Sequence, residues 1–364
     1  MLPDFDVHTF WNENRECFSP FSVSKPRVPL VLIFEDHFLM NLIQMESTHR
    51  YYASPAYALE MQTKANDLLD SEIGLRPYGE EVTYYVKGAF EVRMGAKRVI
   101  REGNTPWLET VVEDIDDIKA INQKLETWDA KRQAIPEEWL MAKHELKSKT
   151  GKQLRFAHML NGPATMACNL LGTTNTCIFI MEEPEVMKEF FTLAALRYGE
   201  FYEVACLEDL GYVPKDGLCI NDDDCYLFPP TQYENFCVPF MKHLFDTFAP
   251  HPQHLRRQHS DSAMGHLLGL LNGLGINEVN FGPELHPADI RRAMPKAIIH
   301  GQTAPYLLRN GTEQEIWAAV ARDFEAVGKD GGLVQSVAGV VPESTPMANI
   351  RAFMQAVHTL TRYE

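Results

Sequence analysis

From about residue 150 onward, short apolar runs stop abruptly at polar groups and glycine, and longer stretches of helical spacing follow each stop. One such run ends in Arg256-Arg257-Gln258-His259-Ser260-Asp261. About twenty residues later another ends in Val279-Asn280-Phe281-Gly282-Pro283-Glu284, and a third in Ala297-Ile298-Ile299-His300-Gly301-Gln302. Strands that alternate with helices at this spacing indicate repeated βα units. In a closed βα barrel the residues at strand C-termini line one pocket. The pattern therefore predicts that His259, Asp261, Glu284, His300 and Gln302 gather around a single site.

The remaining elements follow from the same reading. Residues 1–27 read as a helix and loop outside the core. Residues 28–34 read as a buried strand ending at Glu35-Asp36-His37, and 54–71 have helical spacing. Residues 82–86, 90–94 and 98–101 alternate in polarity and are broken by Lys87-Gly88 and Gly95, which predicts a β-meander inserted over 82–104. Residues 115–150 are charged and helical. A strand is expected over 154–159, ending at Asn161-Gly162-Pro163, and a long helix over 184–210 with Pro184 in its first turn. Then come a strand at 217–220 closed by Asp222-Asp223-Asp224, a helix over 231–248, a last strand at 332–337 and a final helix over 346–362. The whole is read as one α/β domain spanning 1–364, a (β/α)8 TIM barrel carrying the N-terminal meander.

Charge and cysteine content narrow the function. The net charge of −16 repels phosphate backbones, so nucleic acid is not an expected partner. Seven cysteines with no CxxC pair do not make a disulfide framework, which points to a reducing cytoplasm. The first residues show no signal-peptide pattern, and the apolar runs fall short of the ~20 residues of a membrane span. There is no GxGxxG, Walker loop, HExxH or GxSxG motif.

Two polar clusters carry the candidate chemistry. Asp222, Asp223 and Asp224 crowd carboxylates at a strand end, which raises the pKa of at least one and suits acid–base work or a hard cation. The competing reading is a helix cap with solvated charge. His259 and Asp261 form an H-x-D pair whose alternate spacing puts both side chains on one face of a strand. The competing reading there is a core histidine satisfied by a carboxylate. His158, His266 and His286 are assigned to structure, and the fifteen methionines to core filling.

Five segments resemble the uroporphyrinogen decarboxylase superfamily, which includes corrinoid-dependent methyltransferases. They are Asn161-Gly162-Pro163-Ala164-Thr165 leading to Leu171-Gly172; Asp222-Asp223; His259-Ser260-Asp261; His300-Gly301-Gln302 with Pro305 and Asn310-Gly311-Thr312; and Val341-Pro342-Glu343-Ser344-Thr345-Pro346 with Asn349. Order and spacing agree over roughly 150–362, and the N-terminal third fits loosely. The resemblance implies a (β/α)8 barrel with its site at the strand C-termini.

Departures from the family pattern choose among its reactions. The decarboxylases carry arginines near the first strand for the porphyrinogen carboxylates, where this chain has Glu35-Asp36. The coenzyme M methyltransferases bind zinc through a His-x-Cys pair and a distant cysteine. Here the pair is His259-x-Asp261, and Ser336-Val337-Ala338-Gly339 holds no cysteine. The resemblance thus implies zinc on His259 and Asp261, with Asp222 and Asp223 catalytic and Glu35, Asn161, Glu284, His300 and Gln302 binding substrate. The expected reaction moves a methyl group between a small methylated substrate and cobalamin on a separate corrinoid protein. The pocket's carboxylates favour a neutral or cationic donor, with Arg256 and Arg257 as the nearest counter-argument. The alternatives are a cofactor-free decarboxylase and a degenerate barrel that binds a ligand or a corrinoid partner.

Overall fold

The computed structural model describes residues 5–79, 82–84, 89–156 and 160–363. His158 and the second half of the strand expected over 154–159 lie outside these residues.

Parallel strands run in chain order. Leu160–Asn161 (β5), Gly217–Asn221 (β6), Leu255–Ser260 (β7), Glu278–Phe281 (β8), Ile298–His300 (β9) and Leu333–Val334 (β10) form one parallel sheet in which each pairs with the next. Leu154–Phe156 (β4), just ahead of β5, pairs in parallel with Val82–Tyr84 (β1). At the other edge, parallel bridges join Leu30 to Gln335 and Phe34 to Val341. Strands and helices alternate, as in the α/β barrel that the sequence predicts.

The N-terminal third differs from expectation in two ways. The segment 28–34 is extended and buried but held by two bridges, not by a continuous ladder. The β-meander over 82–104 is not what forms. β1 pairs in parallel with β4, Ala89–Met94 is a helix, and among the described residues only Lys97–Val99 (β2) pairs antiparallel, with Trp107–Glu109 (β3). The reason is a coincidence of periods. Phe90 and Met94, both buried, are four residues apart, a spacing that falls on one face of a strand and of a helix alike.

Helices cover the barrel. The helix expected over 184–210 forms as Pro184–Leu210, with Pro at its start and Gly211 in the left-handed region at its end. The charged stretch 115–150 becomes three helices, Ile115–Thr127, Ala130–Gln133 and Glu137–Thr150. The final helix is Met347–Leu360.

Burial along β6 to β9 separates the two faces of the wall. Leu218, Ile220, Gln258, Ser260, Val279, Phe281 and Ile299 are buried. Of the alternate residues, Cys219, Asn221, Arg257, His259, Glu278 and Ile298 are half-buried, and Asn280 and His300 are buried. The apolar face is thus turned to the helices, and the polar inner face retains contact with solvent. Barrel interiors are ordinarily filled by branched apolar side chains. Here Asn221, Arg257, His259, Glu278, Asn280 and His300 share that face with Cys219 and Ile298.

Candidate active site

Three acid–base groups converge where β6 and β7 end. One ligand atom from each of Asp223, His259 and Asp261 lies within 4.8 Å of the others. His259 Nε2 is 3.4 Å from Asp261 Oδ1 and 3.8 Å from Asp223 Oδ1. The Asp261 N–H donates to Asp223 Oδ1 at 2.9 Å and so links the two loops. Burial disfavours the charged imidazole, but Asp261 and then Asp223 outweigh it, and the His259 pKa lies above its ordinary value.

Asn280, on β8, decides which nitrogen of His259 faces the carboxylates. Its amide NH2 donates to the carbonyls of His300 (2.8 Å) and Val337 (3.0 Å), so its oxygen points the other way. That oxygen accepts from the Gly339 N–H at 3.1 Å and lies 2.8 Å from His259 Nδ1. An acceptor there places the proton on Nδ1 and leaves the Nε2 lone pair turned toward Asp223 and Asp261. Gly339, with φ of 111°, leaves room for this: a Cβ on it would sit 2.7 Å from Asp261 Oδ1.

Asp222 and Asp223 are adjacent but face opposite sides. The Asp222 side chain is fully buried on the helix side. It accepts from the Thr165 N–H at 2.9 Å and the Tyr233 hydroxyl at 2.8 Å. Thr165 lies in the first turn of helix Pro163–Leu171, where N–H groups have no intrahelical partner. Asp222 therefore caps that helix from a neighbouring strand, and its own N–H donates to the His259 carbonyl. Burial pushes its carboxyl up to about 7. Tyr233 opens a π-helical turn over Tyr233–Cys237, within the expected helix 231–248.

The other candidates scatter in role. Asn161 donates to Glu91 Oε1 at 2.7 Å on the inner face. Glu284 is exposed after β8, its carboxylate next to Gly282 and so next to the Asp261 backbone. Glu35 is exposed and serves as the N-cap of helix Asp36–Leu42. His300 ends β9, but its Nε2 turns to Glu278 Oε1 at 3.2 Å, and its buried Nδ1 has no partner among the described residues. The Gln302 amide donates to the carbonyls of Gly282 and Leu285, so it holds the loop after β8 together. Of the expected set, only His259, Asp261 and Asp223 share one focus. His266 and His286 have structural bonds, to the Phe228 carbonyl and as a helix cap.

The sequence reading did not single out Asn280, Tyr233, Glu278 or Glu91. One signal was present. Polar residues at alternate positions, Arg257-His259-Asp261 and Glu278-Asn280, mark an inner face that is polar throughout.

Residues 90–360 match the family model described as uroporphyrinogen decarboxylase (URO-D). The chain belongs to this family. A solved structure, a methyltransferase from Methanosarcina mazei, superimposes with a TM-score of 0.63 at 17% identity, covering 97% of this chain and 98% of that one. At that identity the likeness establishes the fold, which agrees with the barrel expected from the family. No curated protein matches the chain.

Proposed function

We propose that this family member is a metal-assisted methyltransferase. It passes a methyl group between a small methylated substrate and the cobalt of cobalamin on a separate corrinoid protein. The observation that carries the reading is the Asp223–His259–Asp261 triad at the strand ends, with Nε2 of His259 presented by Asn280.

The donor set fits zinc. Ligands about 2.0–2.2 Å from a tetrahedral ion stand roughly 3.3–3.6 Å apart; His259 Nε2 lies 3.4 Å from Asp261 and 3.8 Å from Asp223, so small side-chain shifts would close the set. Three protein ligands leave one position open, which is the catalytic pattern. His259 and Asp261 would hold the ion with Asp223. Its chemistry when bound is that of a Lewis acid on the substrate heteroatom from which the methyl group departs. An oxygen-rich set is harder than a thiolate set and suits an oxygen or nitrogen donor over a thiol.

The protein's own groups prepare that site. Asp222 positions both arms of the triad: it caps the helix that packs beneath Asp223, and its N–H fixes the carbonyl of His259. Asp261, the most exposed of the three, meets substrate first. Glu284 and Glu35 place negative charge at the rim, which disfavours a polycarboxylate porphyrinogen.

The test supplies Co(I) corrinoid protein with candidate methyl donors in one reaction and uroporphyrinogen in another. A methyl–cobalt spectrum dependent on enzyme and donor is expected, with no coproporphyrinogen. Catalytic coproporphyrinogen formation overturns the reading. So does full methyl transfer by a folded His259→Ala variant.

A further inference from the structure

Arg256 and Arg257 go to opposite sides of β7. Arg256 is committed to structure, donating to the Ala249 and Leu274 carbonyls over the Phe245 ring. Arg257 lies on the inner face, two residues below His259, and its side chain keeps 23% of its exposure. Among the described residues it makes one ion pair, 3.3 Å to Glu278 Oε1, and no hydrogen bond. The same oxygen of Glu278 receives His300 Nε2. Burial raises the Glu278 pKa, but His300 first and Arg257 second bring it below its ordinary value, so the pair is charged. His300, more than nine-tenths buried, has its Nδ1 without a partner among the described residues.

A guanidinium carries five donors in a planar fork. Holding one in a barrel interior with a single long ion pair leaves most of that capacity unused. With 23% of the side chain exposed, the unused edge of the fork is open to solvent and available to a ligand. On the same face Asn280 and His300 are buried, whereas Arg257, His259 and Glu278 are half-buried, so the Arg257 guanidinium keeps contact with solvent.

We propose that Arg257 is the carboxylate-binding residue of a substrate subsite inside the barrel, below the triad. The substrate class is then a small methylated acid that lies along the barrel axis. Its carboxylate takes the open edge of Arg257, and its methyl-bearing heteroatom reaches the triad. Two residues along a strand span about 7 Å, so the acid and the methyl-bearing heteroatom are joined by a short chain of a few carbons. This runs against the neutral or cationic donor that the acidic rim suggests. The rim repels several carboxylates, whereas the floor accepts one. Placing the methyl group at the triad rests on the methyltransferase reading. Placing the acid on Arg257 does not.

Equilibrium binding tests the subsite without any methyl acceptor. The probes are 4-methoxybutyrate and 4-methoxybutanamide, which are equal in length and differ in charge. Titration calorimetry on the zinc-loaded protein is expected to show the acid binding about 10- to 100-fold more tightly than the amide, as charge-assisted pairing to arginine implies. Arg257→Gln is expected to abolish the difference. Arg257→Lys keeps the charge but loses the fork, so it retains part of it. Glu278→Gln, which removes the competing carboxylate, is expected to tighten the acid. Circular dichroism and thermal unfolding verify that each variant is folded. Equal binding of acid and amide, binding of neither, or an acid preference that survives in folded Arg257→Gln overturns the proposal. An acid preference without methyl transfer leaves the subsite standing and removes the reaction assigned above.

Discussion

At the scale of single residues, the arrangement around His259 depends on one amide. Asn280 uses both donors on carbonyls and its oxygen on Nδ1 and the Gly339 N–H. Hydrogen-bond partners that orient a metal-binding histidine in this way change metal affinity by about 10- to 100-fold. Asn280→Leu is accordingly expected to weaken zinc binding by that factor, read by competition with a chromophoric chelator. In the metal-free, 15N-labelled protein the same change should move His259 away from the Nδ1–H tautomer. Unaltered affinity and tautomer in a folded variant would refute the role.

Asp222 offers a second residue-scale test, through pH. Its folded pKa, pushed up by burial to about 7, exceeds its value in the unfolded chain. A carboxyl with a raised folded pKa favours folding while protonated, and that contribution is lost as pH rises toward 7. Wild type should therefore lose stability relative to Asp222→Asn between about pH 4 and pH 7. A tenfold difference in proton affinity between the folded and unfolded chain corresponds to about 1.4 kcal/mol, so the relative loss is at most about 4 kcal/mol. Denaturant melts of both proteins across that range measure it, and parallel curves would contradict it.

At the scale of elements, close approach between strand ends explains the glycines in the motifs. Gly162, the N-cap of helix Pro163–Leu171, lies so near Asp222 that a Cβ would overlap the aspartate side chain. Its φ of −70° is open to any residue, so the requirement is space and not conformation. Gly162→Ala is expected to cost roughly 1–3 kcal/mol, the usual range for overpacking, measured as a lower denaturation midpoint. It should also loosen Asp223 and weaken zinc binding. A neutral effect on both would show that the contact relaxes easily. The helix at Ala89–Met94 makes the complementary point. Over so few residues the apolar spacing does not choose between strand and helix, so packing of Phe90 against Trp128 and Tyr198 settles it.

At the scale of the molecule, the two ends of the chain are locked together through Arg27. Its fully buried guanidinium donates to Glu13, to Asn14 Oδ1 and to the carbonyls of Phe10 and Val28, and it stacks 4.0 Å from the Phe10 ring. Glu13 also receives Arg362 near the C-terminus. Arg27→Met removes the side-chain donor to the Phe10 and Val28 carbonyls and one of the two donors to Asn14 Oδ1, and is expected to destabilise by roughly 2–4 kcal/mol, seen as a lower Tm. Burial raises the Glu13 pKa, but Arg27 and Arg362 bring it below its ordinary value. The clamp's contribution is therefore present above the unfolded carboxyl's pKa and lost as pH falls through the folded one. An Arg27→Met deficit that persists unchanged at low pH would exclude Glu13 as its main partner.

Features written in local order were legible in the chain before any fold was known. The period of apolar runs and helical stretches marks the parallel βα barrel, because strands and helices bury different periodicities. Pro184 marks a helix start. The H-x-D spacing places His259 and Asp261 on one face, because strand side chains alternate. Which polar groups meet was left to the folded molecule. It brings Asp223, from a different strand, to His259 and Asp261, while turning its neighbour Asp222 to the helices. It sends Arg256 outward and Arg257 inward, and it commits Gln302 to a loop. These outcomes depend on register between strands 20 or more residues apart and on the side-chain orientation that packing imposes. A linear pattern encodes alternation along one strand but not alignment between two.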